Sequence, residues 1–568
     1  MKIWMRYVGV SLLALSTATL MKAQDQSTTN DLVDRITKRE MQEVDIIRKY
    51  NPIVETYIQD MQPNPEFGSV PVKDHYFLGV ADFRKHVLEH SLLEEPGKRK
   101  MPSQLRALAL AEVWPSDLWS SGIEPLGLLE MVFVEKRDFD TRHYRFDYVR
   151  REFLGEVRCF VMDVTPLPHS GQGRFKGRIW VEEHDYTIVR FNGIYEPISS
   201  YGGYNMNFDS WRSNLAPGVW LPTYVYSEEA GYKENLFGTI RYKSQMRLWG
   251  YHVGSGSTES EFSKLSIDAP GAVLDQGASP DLFPLGAQRQ WQREAENNVL
   301  DLLQRSGLLA PAGPVDKVLD TVVNNIEVTN NLDVQPEVRC RVLLTSTLES
   351  FSIGHAIVIS RGLLDVLPDE ASLAVMLTEQ LGSVLLTEPN LDKWGFNAMT
   401  NIPVVQVIAS LNFRENSHDL ELANQKALEL LLNSPYKDKL SNAGLFLRQL
   451  SAEQQVLPSL VQPRLGNHVF LADKIMSIAP PLDLKNANQT AALPLGGRIK
   501  INPWNDELAM LQGAEPRPMS PREKMPFEVT PFEPSMTYFK PVSATTLPEN
   551  QGPSSPAPAS QSVTAASH

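Results

Sequence analysis

The spacing of apolar residues changes partway along this chain, and that change limits its fold more than any other feature. Between about Phe67 and Tyr251 the period is two. Tyr144, Phe146 and Tyr148 alternate with charged neighbours, and the run Val157 to Val164 is largely apolar. Arg178-Ile179-Trp180-Val181 and Ile188-Val189-Arg190-Phe191 flank a turn near His184-Asp185, and Trp220 to Tyr226 and Thr239 to Tyr251 follow. Alternation of this kind puts successive side chains on opposite faces of a strand. Strands of this length, separated by Gly, Pro and Asp clusters, predict an antiparallel meander over 67–253. Further on, Val315, Val318, Leu319, Val322, Val323 and Ile326 mark the buried stripe of a helix. The expected fold class is α+β: a curved antiparallel β domain, then a mainly helical one.

The remaining segments are placed around those two periods. Residues 24–66 are expected to form a helical lead, because Val54, Tyr57, Ile58 and Met61 fall at i, i+3, i+4 and i+7 after the break at Pro52. Residues 254–290 are rich in Gly, Ser, Pro and Asp and read as a linker. Within 291–480, strands are expected over Val338 to Leu344 and Ala356 to Ser360, and helices over Asp369 to Leu386 and Ser417 to Leu432. Residues 481–547 read as an irregular extension. The last segment, 548–568, is mostly Pro, Ser, Ala and Gln and too poor in apolar residues to fold.

The N-terminus predicts export. Lys2 and Arg6 form a short positive region, Tyr7 to Leu20 a polarity-poor core, and Ala23 ends a cleavage site before Gln24, so residues 1–23 read as a signal peptide. The alternative is an uncleaved anchor. No cysteine follows the core to carry a lipid, and no later run is long and apolar enough to span a bilayer. The mature chain is therefore expected to be soluble, periplasmic or secreted, with no integral membrane span. A net charge of −14 excludes a nucleic-acid partner, since phosphate binding needs a basic face. Cys159 and Cys340, the only cysteines, sit far apart and form neither a disulfide framework nor a thiolate metal site.

Phe351, the run Ile357 to Leu364, Pro368-Asp369-Glu370-Ala371 and Leu373 to Leu377 resemble, in order, the approach to the zinc helix of the HtpX/BepA-type zinc metallopeptidases, a gluzincin family. The resemblance spans Cys340 to Tyr436, and Val315 to Ile478 more loosely. Its register sets Glu379-Gln380-Leu381-Gly382-Ser383 on the family's HExxH. In that motif two histidines on one helix face hold zinc, and the glutamate takes a proton from the metal-bound water. Here Glu379 and Ser383 replace the histidines and Gln380 replaces the base. The downstream glutamate ligand becomes Leu420 and the family's aspartate Asn424; sliding that part by one residue brings in Asp419 or Glu421, but no histidine. The resemblance thus implies a metallopeptidase fold with no catalytic, cofactor-binding or metal residue left. The other reading is a zinc endopeptidase with unorthodox ligands, perhaps carboxylates, in which case zinc would be its cofactor. His355, His418 and His468 are scattered and read as surface or packing residues.

Two smaller patterns remain. Gly177 to Val181, an acidic turn from Glu182 to Asp185, and Ile188-Val189-Arg190 resemble a hairpin of the LolA-like periplasmic lipoprotein carriers. That resemblance implies a curved sheet whose concave face takes acyl chains; an ordinary core around Trp180 and Phe191 is the alternative. His86-Val87-Leu88-Glu89-His90 fits the inverted zinc motif H-x-x-E-H if the segment is helical, although no third ligand is recognisable nearby. Together these readings predict a non-catalytic envelope protein acting as a scaffold or binding module for a protein or lipid-like partner. The alternatives are the zinc endopeptidase and a carrier of lipid-like ligands.

Overall fold

A computed structural model describes residues 30–84, 87–91, 125–135, 137–171, 173–196, 206–229, 241–251, 284–386, 411–467, 473–483, 489–496, 498–510, 520, 523–534 and 536–539. The expected signal peptide, most of the expected linker and the expected 548–568 tail lie outside the described residues.

The α+β class holds. Ten strands make one antiparallel sheet: β1 (Ile53–Asn64), β2 (Gly68–Asp82), β3 (Val87–Ser91), β4 (Tyr144–Leu154), β5 (Val157–Pro166), β6 (Arg174–Glu182), β7 (Ile188–Glu196), β8 (Met206–Ala216), β9 (Val219–Glu229) and β10 (Arg241–Trp249). Their order is β3-β2-β1-β10-β9-β8-β7-β6-β5-β4: two antiparallel runs, β1 to β3 and β4 to β10, joined where β1 pairs with β10. The hairpin read from Trp180 is present, with Arg178 opposite Asn192 and Ile179 opposite Phe191. Gly177 and Gly193 face each other there so closely that a Cβ on Gly177 would lie 2.1 Å from the Asn192 carbonyl.

The expected helical lead is corrected in its second half. A helix covers 30–47, but Val54, Tyr57, Ile58 and Met61 belong to strand β1. This strand is buried on both faces, so its apolar residues are nearly continuous and also satisfy helical spacing. Tyr57 joins one core cluster, while Val54 and Ile58 join the other. Val87 to His90 of the H-x-x-E-H pattern are likewise strand, not helix, so the i, i+4 geometry does not arise; His86 lies outside the described residues.

The C-terminal half begins inside the expected linker, where a helix runs Pro284–Arg305. Helix Pro314–Thr329 buries Val315, Leu319, Val322, Val323 and Ile326 but leaves Val318 exposed. A three-stranded sheet follows, in the order β11 (Arg339–Leu343), β13 (Ala356–Ser360), β12 (Ser350–Ile353). Helices Glu370–Leu386, Ser417–Leu432 and Leu440–Glu453 complete the frame. Among its described residues the expected irregular extension is irregular except for a short hairpin, β14 (Ile499–Ile501) with β15 (Leu508–Met510), and Leu495, Phe527 and Val529 within it are buried. Residues 527–539 return across the large sheet: the Tyr538 hydroxyl donates to Glu182, and Glu156 N–H donates to the Met536 carbonyl.

The two halves share a core. One apolar cluster contains Tyr57, Trp211, Trp220 and Trp249 from the large sheet together with Leu319, Phe351, Leu377 and Phe446 from the helical half. We call this the seam face of the large sheet. The opposite face packs against helix 30–47, through Val33, Ile36, Val44 and Ile47, and against residues 128–139.

Candidate functional site

Helix Glu370–Leu386 forms where the sequence places it. The Asp369 carboxylate accepts from Ser372 N–H at 2.8 Å, which caps its first turn. From Ala371 to Ser383 it is buried almost all round, as expected for a helix in the middle of a core. It crosses helix Ser417–Leu432 where a Cβ on Gly382 would sit 2.5 Å from the Ala423 carbonyl. Only glycine lets the two backbones approach so closely.

Glu379, Gln380 and Ser383 therefore sit deep in the helical half, at 7%, 3% and 1% exposure. Burial alone raises the Glu379 pKa to about 8, and among the described residues its Oε1 has no partner. The Gln380 amide donates to Ser350 Oγ at 3.2 Å, while its own oxygen lacks a partner among the described residues. Ser350 lies on edge strand β12, which bridges to Asn467. Ser383 Oγ lies 3.5 Å from the Glu379 carbonyl and donates more closely, at 3.1 Å, to Glu415. Burial also raises the Glu415 pKa, against the lowering effect of that hydrogen bond.

Sequence reasoning missed Glu415. It precedes the helix whose register carried the comparison and has no motif of its own. Leu420 lies on the line of Ala423, Ala427 and Leu430, half-exposed at the start of the helix. Asp419 and Glu421 are engaged locally, by Asn416 at 2.5 Å and Gln425 at 3.4 Å. Chemically, the cluster offers a neutral buried carboxyl, an amide and a hydroxyl. It has no imidazole, and among the described residues no three His, Cys, Asp or Glu side chains converge as a metal site would need. His355 is a packing residue: its N–H and Nδ1 meet the buried Glu296 at 2.7 and 2.9 Å. His418 is exposed, and His468 lies outside the described residues.

The seam between the halves is polar in a different way. Glu55 of β1, 2% exposed, accepts from Ser346 N–H at 2.5 Å, Ser346 Oγ at 2.7 Å, Tyr76 OH at 2.8 Å and Arg361 Nη2 at 2.9 Å. Gln59, two positions along the same face from Tyr57, pairs with Phe527 carbonyl and Val529 N–H at 2.6 and 2.8 Å. Asp74 of β2 accepts from Ser459 and Leu460 N–H groups at 3.0 and 2.8 Å. None of these residues carried a motif; a charged residue inside an apolar strand was the available signal.

Among the described residues the other face of the large sheet is filled by helix 30–47 and residues 128–139, with Phe133, Phe175, Phe191 and Phe208 all buried. The helix is pinned by a buried ion pair, Glu40 with Arg212, doubly bonded at 2.7 Å. Beside it burial raises the Glu43 pKa to about 7, while Arg39 lies 3.0 Å away. A small cavity of about 50 Å³ lies on the seam face instead, lined by Tyr224, Arg247, Trp249, Lys500 and Phe532. Drug-sized or lipid-sized sites run to roughly several hundred cubic ångströms.

No protein-family profile matches the chain, and no curated protein matches it. Among solved structures, a Vibrio parahaemolyticus domain described as an outer membrane lipoprotein-sorting protein is 13% identical, over 37% of this chain and 88% of that one, with a TM-score of 0.18. MucB in complex with MucA(peri) is 10% identical, over 38% of this chain and 93% of its own, with a TM-score of 0.12. At TM-scores this low neither likeness defines a fold.

Proposed function

We propose that the chain is a non-catalytic envelope protein, a binding module or scaffold for a protein or lipid-like partner, built on a metallopeptidase-like frame that no longer handles zinc. The observation that carries this reading is the state of Glu379. It sits at the first ligand position of the expected motif, 7% exposed, where burial raises its pKa to about 8, and among the described residues no three His, Cys, Asp or Glu side chains gather around it. A zinc ligand needs a deprotonated donor and companions, and the companions here are the Gln380 amide, the Ser383 hydroxyl with Glu415 bonded to it at 3.1 Å, and Leu420, with no imidazole among them. Export to the periplasm or medium belongs to the same proposal and rests on the Lys2 to Ala23 pattern.

Elemental analysis of the mature protein tests it, together with melting curves with and without a chelator. Less than about one-tenth of a zinc per chain and an unchanged melting temperature are expected, since a bound metal would stabilise the folded state. One zinc per chain, lost together with proteolysis in Glu379→Ala, would favour the endopeptidase reading instead.

A further inference from the structure

We propose that β4 is a self-pairing edge, through which two copies of this chain join antiparallel and extend the large sheet across a two-fold axis. β4 is the last strand in the sheet, hydrogen-bonded to β5 on one side, and among the described residues no strand pairs with its other side. It is 11 residues long and contains no Pro, so none of its residues lacks the backbone N–H that pairing with another strand uses. Tyr148 and Phe153 on it are 52% and 65% exposed.

The charge order selects a second copy over a foreign strand. Reading along β4, Arg145, Asp147, Arg150 and Glu152 are plus, minus, plus, minus. All four lie on one face, because a bulge at Val149 restores the alternation: Tyr148 pairs with Met162 and Arg150 with Val161. The contacts agree, since Arg145 bonds Asp147 at 2.9 Å, Arg150 bonds Glu152 at 2.7 Å, and Glu152 accepts from Trp180 on the seam face. Read backwards the order is minus, plus, minus, plus, so the strand is its own electrostatic complement. Setting Tyr148 against the second copy's Val149 places Arg145 opposite Glu152 and Asp147 opposite Arg150, each pair occurring twice. On the other face the same register sets Tyr144 against Phe153 and Phe146 against Arg151. Arg151 already stacks on the Phe160 ring at 4.9 Å. Directly opposed charge and aromatic pairs are the unit of stabilisation between antiparallel strands, and a two-fold contact repeats each of them.

Sedimentation velocity on the mature chain, with two single variants, tests the pairing. The wild-type chain is expected to form a dimer that dissociates on dilution. Arg150→Glu sets like charges opposite Asp147, and Asp147→Lys sets like charges opposite Arg150, so each alone should weaken the dimer about tenfold or more. An equal mixture of the two variants should regain the dimer, because each supplies the charge the other lacks; a folding defect would not be rescued this way. A wild-type chain that stays monomeric at every concentration, variants that dimerise as tightly as wild type, or a mixture that stays monomeric would overturn the proposal.

Discussion

The seam between the two halves and the interior around Glu379 are equally buried but treat their polar atoms differently. At the seam, Glu55 takes four donors, and Gln59 and Asp74 bond backbone groups of the opposite half. Around Glu379, one carboxylate oxygen and the Gln380 carbonyl go without partners among the described residues; at the seam Asp365 Oδ1 and Arg247 Nε also do, but beside the bonded carboxylates of Glu55 and Asp74. A buried polar group costs free energy unless it is bonded. The seam is therefore a cohesive contact that holds a 10-stranded sheet and a helical half as one body. The Glu379 region is tolerated at a cost, which is how sites arranged for something other than stability behave.

The largest expected effect lies at the seam. Glu55→Ala leaves Arg361 with Asp365 as its remaining carboxylate and removes the acceptor for Ser346 and Tyr76, so it should cost about 4 kcal/mol, as breaking a buried pair does. Denaturant unfolding checks this. A loss below about 1 kcal/mol would erase the contrast between the two regions.

Next comes the pH dependence of the Glu379 region. Its carboxyl ionises near 4.5 in the unfolded chain and at about 8 in the folded one. A group raised in this way stabilises the fold fully below its unfolded value, and that contribution drains away as pH rises through the folded value. Glu379→Gln stays neutral, so between about pH 5 and about pH 9 it should gain on wild type by on the order of 5 kcal/mol at most. Parallel unfolding curves across that range would reveal a partner for Glu379 in solution.

The smallest effect concerns the helix crossing. Gly382→Ala pushes a methyl group toward the Ala423 carbonyl and should cost about 2 kcal/mol, despite alanine's better helix propensity. A stabilised variant would mean that the helices part without strain.

Much of this architecture was legible along the chain. β4 to β7, β9 and β10 were readable from alternation and apolar runs, β8 was not singled out, and helix Glu370–Leu386 follows from its apolar stripe and the Asp369 cap. Glu379, Gln380 and Ser383 were singled out by the register of a family resemblance, and the helix buries all three. β1 was misread because a strand buried on both faces loses its period. Glu415 was missed because its contact with Ser383 spans 32 positions and depends on how two segments meet.

The sequence by itself determined the class, most strands of the meander and the buried helix Glu370–Leu386. These depend on the backbone periods of 2 and 3.6, which any short window reveals. Only the tertiary structure decided what covers each face of the large sheet. It set helix 30–47 on one side and the helical half, with residues 527–539, on the other. It also made Glu55 a clasp and left Glu379 alone. Apolar burial is non-directional, so a stripe says that a face must be covered but not by what. A buried carboxylate is stabilised or not according to donors that arrive from hundreds of residues away, as Arg361 does for Glu55.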